Sequence, residues 1–143
     1  MKTIVIKRAD GGVSIGDIAE WADPVDVLRK WSMGKPAEWL PATFDVLDVR
    51  PTINKDRMFR NALKHGAGGI VHDIPKCKLL AHDMRRAKRD AEMKPFDDII
   101  TKQIPGTNAA QAEAARVQIR AKYDAMQKAI DAATDVQSIK VAL

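Results

Sequence analysis

The feature that most constrains this chain is a change of period at Pro75. Before it, apolar residues come in short runs broken by Gly, Asp and Pro. After it, Cys77, Leu80, Met84, Ala87 and Ala91 recur at spacings of three and four. That is the stripe of an amphipathic helix, and it runs past Phe96 to about Lys102. "IPGTN" breaks the pattern, and Asn108 with Gln111 has the form of a capping box. A second helix then carries Ala112, Ala115, Ile119, Tyr123, Met126 and Ile130 on one face. Two long helices joined by so short a loop form an antiparallel pair, with Leu80, Met84, Ile119 and Met126 expected to face one another. Thr134 with Gln137 offers a second capping box, opening a short last helix whose Ile139 and Leu143 fold back.

The first half reads differently. "TIVIK" is β-branched, "GGVSI" follows it, and Asp10-Gly11-Gly12 tolerate the positive φ of a tight turn. Residues 3–15 are therefore expected to form a β-hairpin. In "DPVDVLRKWS", Asp23 is an N-cap, Pro24 suits the first helical position and Asp26 adds charge near the N-terminus. Val27, Leu28 and Trp31 form the apolar side of this helix, which Gly34 and Pro36 end. "ATFDVLDVRP" (42–51) places apolar residues on both faces and is the candidate third strand. "KDRMFRNALKHG" (55–66) reads as one short helix with Met58, Phe59, Ala62 and Leu63 inward and Gly66 as its stop. "GGIVHD" is either a fourth strand or an extended link.

The expected fold class is α+β: a small N-terminal antiparallel sheet with short helices, then a C-terminal antiparallel helical hairpin. Residues 1–74 would be the head and 75–143 the hairpin with its short last helix, together one cooperative unit. A length of 143 residues suits that size. The single cysteine, Cys77, excludes an intrachain disulfide and fits a reducing cytosol or a particle assembled there. The apolar run in "MKTIVIKRADGG" is too short for a secretory signal, and no run approaches a membrane span, so the chain is expected to stay soluble in the cytoplasm.

Candidate chemistry is sparse. His65, His72, His82 and Cys77 lack the paired short spacings of zinc sites, so neither a metal nor a cofactor is expected. Asp97 and Asp98 are helix neighbours pointing about 100° apart and cannot converge on one reacting atom. Cys77 lies on the apolar stripe and reads as a small buried hydrophobe. "GAGG" (66–69) lacks the Lys-Ser/Thr of a phosphate loop. These observations point to a non-enzymatic protein.

Two features invite a binding role. Between Lys76 and Lys94 lies a basic run that includes Arg85, Arg86, Lys88 and Arg89, against Asp83, Asp90 and Glu92. Such a helix can lie along phosphates, but Arg86–Asp90 and Lys88–Glu92 stand at i, i+4 and neutralise one another. No aromatic for base stacking lies beside them. A solvated face or protein contact through Arg85, Arg86 and Arg89 is preferred to nucleic acid. The three tryptophans, Trp21, Trp31 and Trp39, cluster in the first third of the chain. At least one, Trp39 in its Pro-flanked loop, is expected to be partly exposed and to meet a partner. Phe59 is expected to be buried. Arg60 and Asn61 would hydrogen-bond main-chain carbonyls or a carboxylate between sheet and hairpin, and they are candidate contact residues.

"ADGGVSI" (9–15), "DRMFRNA" (56–62), "DIPK" (73–76), Asp83, Arg86, Ala87, Arg89 and the C-terminal "AAT…IK" carry a resemblance. On them the chain resembles small uncharacterised proteins encoded near tail genes in tailed-bacteriophage and prophage genomes. Ala81 stands where such proteins often carry His, with His82 displaced by one position, and Cys77 stands where Ala follows their Pro-Lys. No histidine role therefore transfers. The resemblance implies a phage late-gene product and no reaction.

The expected function is that of a non-enzymatic virion structural protein, a small tail or tail-fibre adaptor. It would be made and assembled in the host cytoplasm and would contact other tail or fibre proteins, with self-association in a symmetric assembly as a further option and no membrane partner. One alternative is a tail-fibre assembly chaperone absent from the mature virion. Another is a nucleic-acid-binding protein using the basic helix 76–94.

Overall fold

The computed structural model describes residues 1–48, 51 and 57–143. The chain divides into two compact units, Met1–Asp73 and Ile74–Leu143. Together they make an α+β fold of small antiparallel sheets and helices, with a helical hairpin at the C-terminal end.

In the first unit β1 (Lys2–Arg8) lies between β2 (Val13–Ile18) and β3 (Pro41–Leu47), antiparallel to both. An uninterrupted apolar run suits a central strand covered on both sides. On one face Ile4 and Ile6 join Ile18 and Leu28, with Ala22, Val27 and Trp31 packed around them. On the other, Val5 meets Val13 and Leu63, flanked by Ile15, Leu47 and Ile70. Helix α1 (Pro24–Ser32) supplies Leu28 to this core. It starts where Asp23 Oδ1 accepts a hydrogen bond from Val25 N at 2.9 Å. It ends at Met33, before Gly34 at φ +70°.

Over the described part of 55–66, residues 57–66, the expected helix is not formed. Residues 52–56 lie outside the described residues, and beyond them the chain makes a single 3-10 turn (Arg60–Ala62) that leads into β4 (Leu63–Gly66). β4 pairs with β5 (Gly69–His72), so "GIVH" is a strand, and "GAGG" is the turn between the two. Local helix propensity loses here to a non-local gain. Gly69 adopts φ +115°, which closes the turn, and Leu63 enters the core beside Val5 and Val13. Phe59 is fully buried.

In the second unit α2 (Ile74–Lys102) and α3 (Ala109–Ala132) form the hairpin, and α4 (Val136–Val141) packs on both. Asn108 caps α3 by accepting from Ala110 N and Gln111 N at 2.9 and 3.2 Å. The cap of α4 is Asp135 rather than Thr134, and its carboxylate accepts from Ser138 N at 2.8 Å and Ser138 Oγ at 2.9 Å. A carboxylate also complements the positive helix end, which a hydroxyl does not.

The buried seam of α2 differs from the expected stripe. Cys77, Ala81 and Arg85 are buried, Leu80 and Met84 are half-buried, and Ala87 and Ala91 are exposed. Small side chains at 77 and 81 let helices approach closely. The large groups of the core come instead from Tyr123, Ile130 and Ile139. Ile119 and Met126 are only half-buried.

Candidate functional site

The β1–β2 turn is built around one carboxylate. Asp10 Oδ1 accepts from Gly12 N at 2.8 Å and from Arg8 Nε at 3.0 Å. The backbone closes from Arg8 N to Gly12 O at 2.9 Å and from Gly11 N to Arg8 O at 3.0 Å. The two glycines serve different purposes. Gly11 sits at φ +77° with open space around it. Gly12 lies under the Arg8 side chain, where a Cβ would fall 2.1 Å from Nη2.

The 38–40 segment is tied to the same turn, with Ala9 N donating to Leu40 O and Asp10 N to Glu38 O, both at 2.9 Å. This brings the Trp39 ring under the Arg8 guanidinium, 4.5 Å from its centroid. Lys35 Nζ approaches the same ring at 5.8 Å. Such cation–aromatic stacking contributes about 0.5–2 kcal/mol, more as the cation loses water, and Arg8 is only 8% exposed.

Beside this stack lies a cleft of about 290 Å³ lined by Arg8, Val13, Ser14, Ile15, Trp39, Arg57, Arg60, Asn61 and Leu63. Three arginines, Arg8, Arg57 and Arg60, line it, and Asp10 pairs with the first of them. Arg57, Arg60 and Asn61 are exposed, and their side chains form no hydrogen bond or ion pair among the described residues. The carbonyl or carboxylate partners expected for Arg60 and Asn61 are therefore not found there. Guanidiniums unpaired among the described residues, beside an aromatic ring, suit planar anionic groups, which they hold with paired, charge-assisted hydrogen bonds.

The structure thus brings together three of the residues singled out in the sequence, Trp39, Arg60 and Asn61, and adds Arg8, Arg57 and Ser14. Arg8 was hidden by its place at the end of a strand. Trp39 is 40% exposed, while Trp21, at 89%, is the most exposed of the tryptophans and lies outside the cleft.

The basic run of α2 is not an open cationic face. Arg85 is 6% exposed, and its Nη1 donates to the Tyr123 carbonyl at 3.1 Å, so it is a core residue rather than a contact residue. Arg86 pairs with Asp83, and Arg89 with Asp90 at 3.1 Å. The expected Arg86–Asp90 and Lys88–Glu92 pairs are replaced. Lys88 Nζ donates to the Leu143 carbonyl at 3.0 Å, and Glu92 Oε1 accepts from Lys122 Nζ and from Tyr123 Oη, each at 2.7 Å. Those two hydrogen bonds, Lys122 first, hold the Glu92 carboxyl below its usual range. A hydrogen bond to Lys102 does the same for Asp98, and one to Arg120 for Glu113. A wider groove of about 620 Å³ along this hairpin is lined by Arg89, Lys94 and Arg120 among four aspartates, so it carries no surplus of positive charge.

Asp97 and Asp98 take separate partners, Arg116 at 2.8 Å and Lys102 at 3.1 Å. His82 Nε2 lies 2.9 Å from Asp131 Oδ1. Among the described residues no group of His, Cys, Asp and Glu is placed to hold a metal ion, and no helix is long and apolar enough to cross a membrane. Set against protein-family models, curated proteins and solved structures, the chain matches none.

Proposed function

We propose that this chain is a non-enzymatic docking component that holds another protein through the arginine cleft of its N-terminal unit. One observation carries the reading: Arg57 and Arg60, unpaired among the described residues, line a cleft whose wall includes the Arg8–Trp39 stack. Natural surfaces usually disperse or pair such charge, and Arg and Trp are the residues most enriched where binding energy concentrates. The resemblance of "ADGGVSI", "DRMFRNA" and "DIPK" to phage tail-region proteins supports the more specific proposal of a small tail or tail-fibre adaptor in the virion. An adaptor of this kind needs separate surfaces for separate neighbours, and a chain of two compact units supplies them.

The test is the protein inventory of purified phage particles by quantitative mass spectrometry. An adaptor is present at a fixed ratio to the tail proteins. Presence in lysates alone overturns the virion reading in favour of an assembly chaperone.

A further inference from the structure

Val13, Ser14 and Ile15 are consecutive strand residues whose side chains alternate between the two faces of the sheet, yet all three line the arginine cleft. The cleft therefore meets β2 side-on, across its outer edge. β1 occupies the inner edge of β2 from Val13 to Ile18. On the outer side the ladder is confined to one isolated bridge, Gly12 to Lys64, and β4 pairs no further along β2 among the described residues. An unpaired edge offers main-chain donors and acceptors at strand spacing. Here Arg57 and Arg60 line the same cleft as that edge.

We propose that the occupant is an extended acidic segment of a partner protein, added as a strand on the outer edge of β2 with its carboxylates on Arg57 and Arg60. This rests on the docking reading and names the chemistry of the partner. The edge supplies register and main-chain bonds, and the arginines supply selection for acidic side chains at alternate positions. Charge decides against a second copy of this chain, because pairing two β2 edges would bring like guanidiniums together. The ring of Trp39 decides against single-stranded nucleic acid: Arg8 already stacks on it at 4.5 Å, which removes the aromatic platform that base stacking needs.

The experiment titrates the full chain with fluorescently labelled hexapeptides. One alternates valine and glutamate, and its counterpart carries glutamine in place of glutamate. Oligothymidylate and inorganic phosphate serve as competitors. The acidic peptide is expected to bind with an affinity that falls as salt rises, and to slow hydrogen exchange at amides in 13–17. Replacing both arginines (Arg57→Ala with Arg60→Ala) should weaken binding about tenfold or more, the loss expected for charge-assisted hydrogen bonds. Both side chains are exposed and unpaired among the described residues, so an unchanged thermal midpoint should accompany that loss. Equal binding of the glutamine peptide, no binding at millimolar peptide, or binding without protection of 13–17 would each overturn the proposal. Displacement of the peptide by oligothymidylate or phosphate at lower concentration would convert the cleft into a phosphate site and overturn it too. Because the titration uses purified protein, a chain absent from virions that still binds the acidic peptide refutes the adaptor reading alone.

Discussion

Replacing Gly12 by alanine isolates the contact that shapes the cleft. The new Cβ would fall 2.1 Å from Arg8 Nη2, 2.8 Å from Cζ and 2.9 Å from Asp10 Oδ1. These are the ends of side chains rather than backbone, so the hairpin can survive if the guanidinium swings away. Swinging away forfeits the stack on Trp39, about 0.5–2 kcal/mol, and the Arg8–Asp10 ion pair, about 0.2–1 kcal/mol. Loss of glycine's freedom in the unfolded chain returns about 0.4–1 kcal/mol. The net cost is about 1 kcal/mol, and at most about 2.5. Urea unfolding should show it as a lowered midpoint at unchanged slope, and the Trp39 emission, assigned against a Trp39→Phe variant, should shift as its cation leaves. Gly11→Ala is the control. It meets no atom within 4 Å but is held at φ +77°, so it costs about 1–2 kcal/mol of backbone strain and leaves Trp39 emission alone. Equal Trp39 emission in the Gly12→Ala variant and the wild type would refute the claim that this glycine exists to seat Arg8.

The helical unit gives three further tests. Ile130→Ala removes a fully buried side chain and should cost about 2–5 kcal/mol, whereas Leu80→Ala, at a half-buried position, should cost less than half as much; equal losses in chemical denaturation would contradict the seam described. Arg85 is a buried cation whose Nε lacks a partner among the described residues, so Arg85→Met should leave stability unchanged or raise it by up to about 2 kcal/mol, and a clear loss by calorimetry would show that the charge is compensated. Glu92 titrates below its usual range because Lys122 and Tyr123 hydrogen-bond its charged form. Its contribution is thus complete above the unfolded value and disappears as pH falls through the lower folded one. Stability should decline below about pH 4, and Glu92→Gln should flatten that part of the profile, while an identical profile in the variant would remove Glu92 from the account.

Local chemistry decides which parts of the fold were legible in the sequence. The first hairpin follows from a β-branched run ending in Asp10-Gly11-Gly12, and α1 and α3 begin at their expected caps, Asp23 and Asn108. The strand at 63–66 was hidden because its core contacts, Val5 and Val13, are distant in sequence, while its local turn at Gly66 to Gly69 looked like the stop of a helix. Distant contacts decide in α2 as well. Periodicity finds the helix but not which residues of a broad stripe are covered, and the small groups at 77 and 81 take the seam because Tyr123 and Ile130 supply bulk from across the hairpin. Trp39 stood out as an aromatic residue in an irregular segment, and Arg60 and Asn61 as polar residues of an expected short helix. Their convergence with Arg8 depends on two main-chain bonds between 38–40 and the first turn, for which spacing offers no signal. Arg85 shows the converse error, since a charge in a basic run looks solvated until its neighbours are known.

The central claim, that the arginine cleft docks an acidic protein segment, is tested most directly by placing a photo-crosslinking amino acid at position 61 in the cells that produce the protein. A second copy of the experiment places it at position 86, on the internally paired face of α2. The account predicts that position 61 forms covalent adducts with another protein, mapped by mass spectrometry to a segment rich in aspartate or glutamate, and that Arg57→Ala with Arg60→Ala abolishes them. Adducts at position 86 with none at position 61, or adducts at 61 that survive the loss of both arginines, would contradict it.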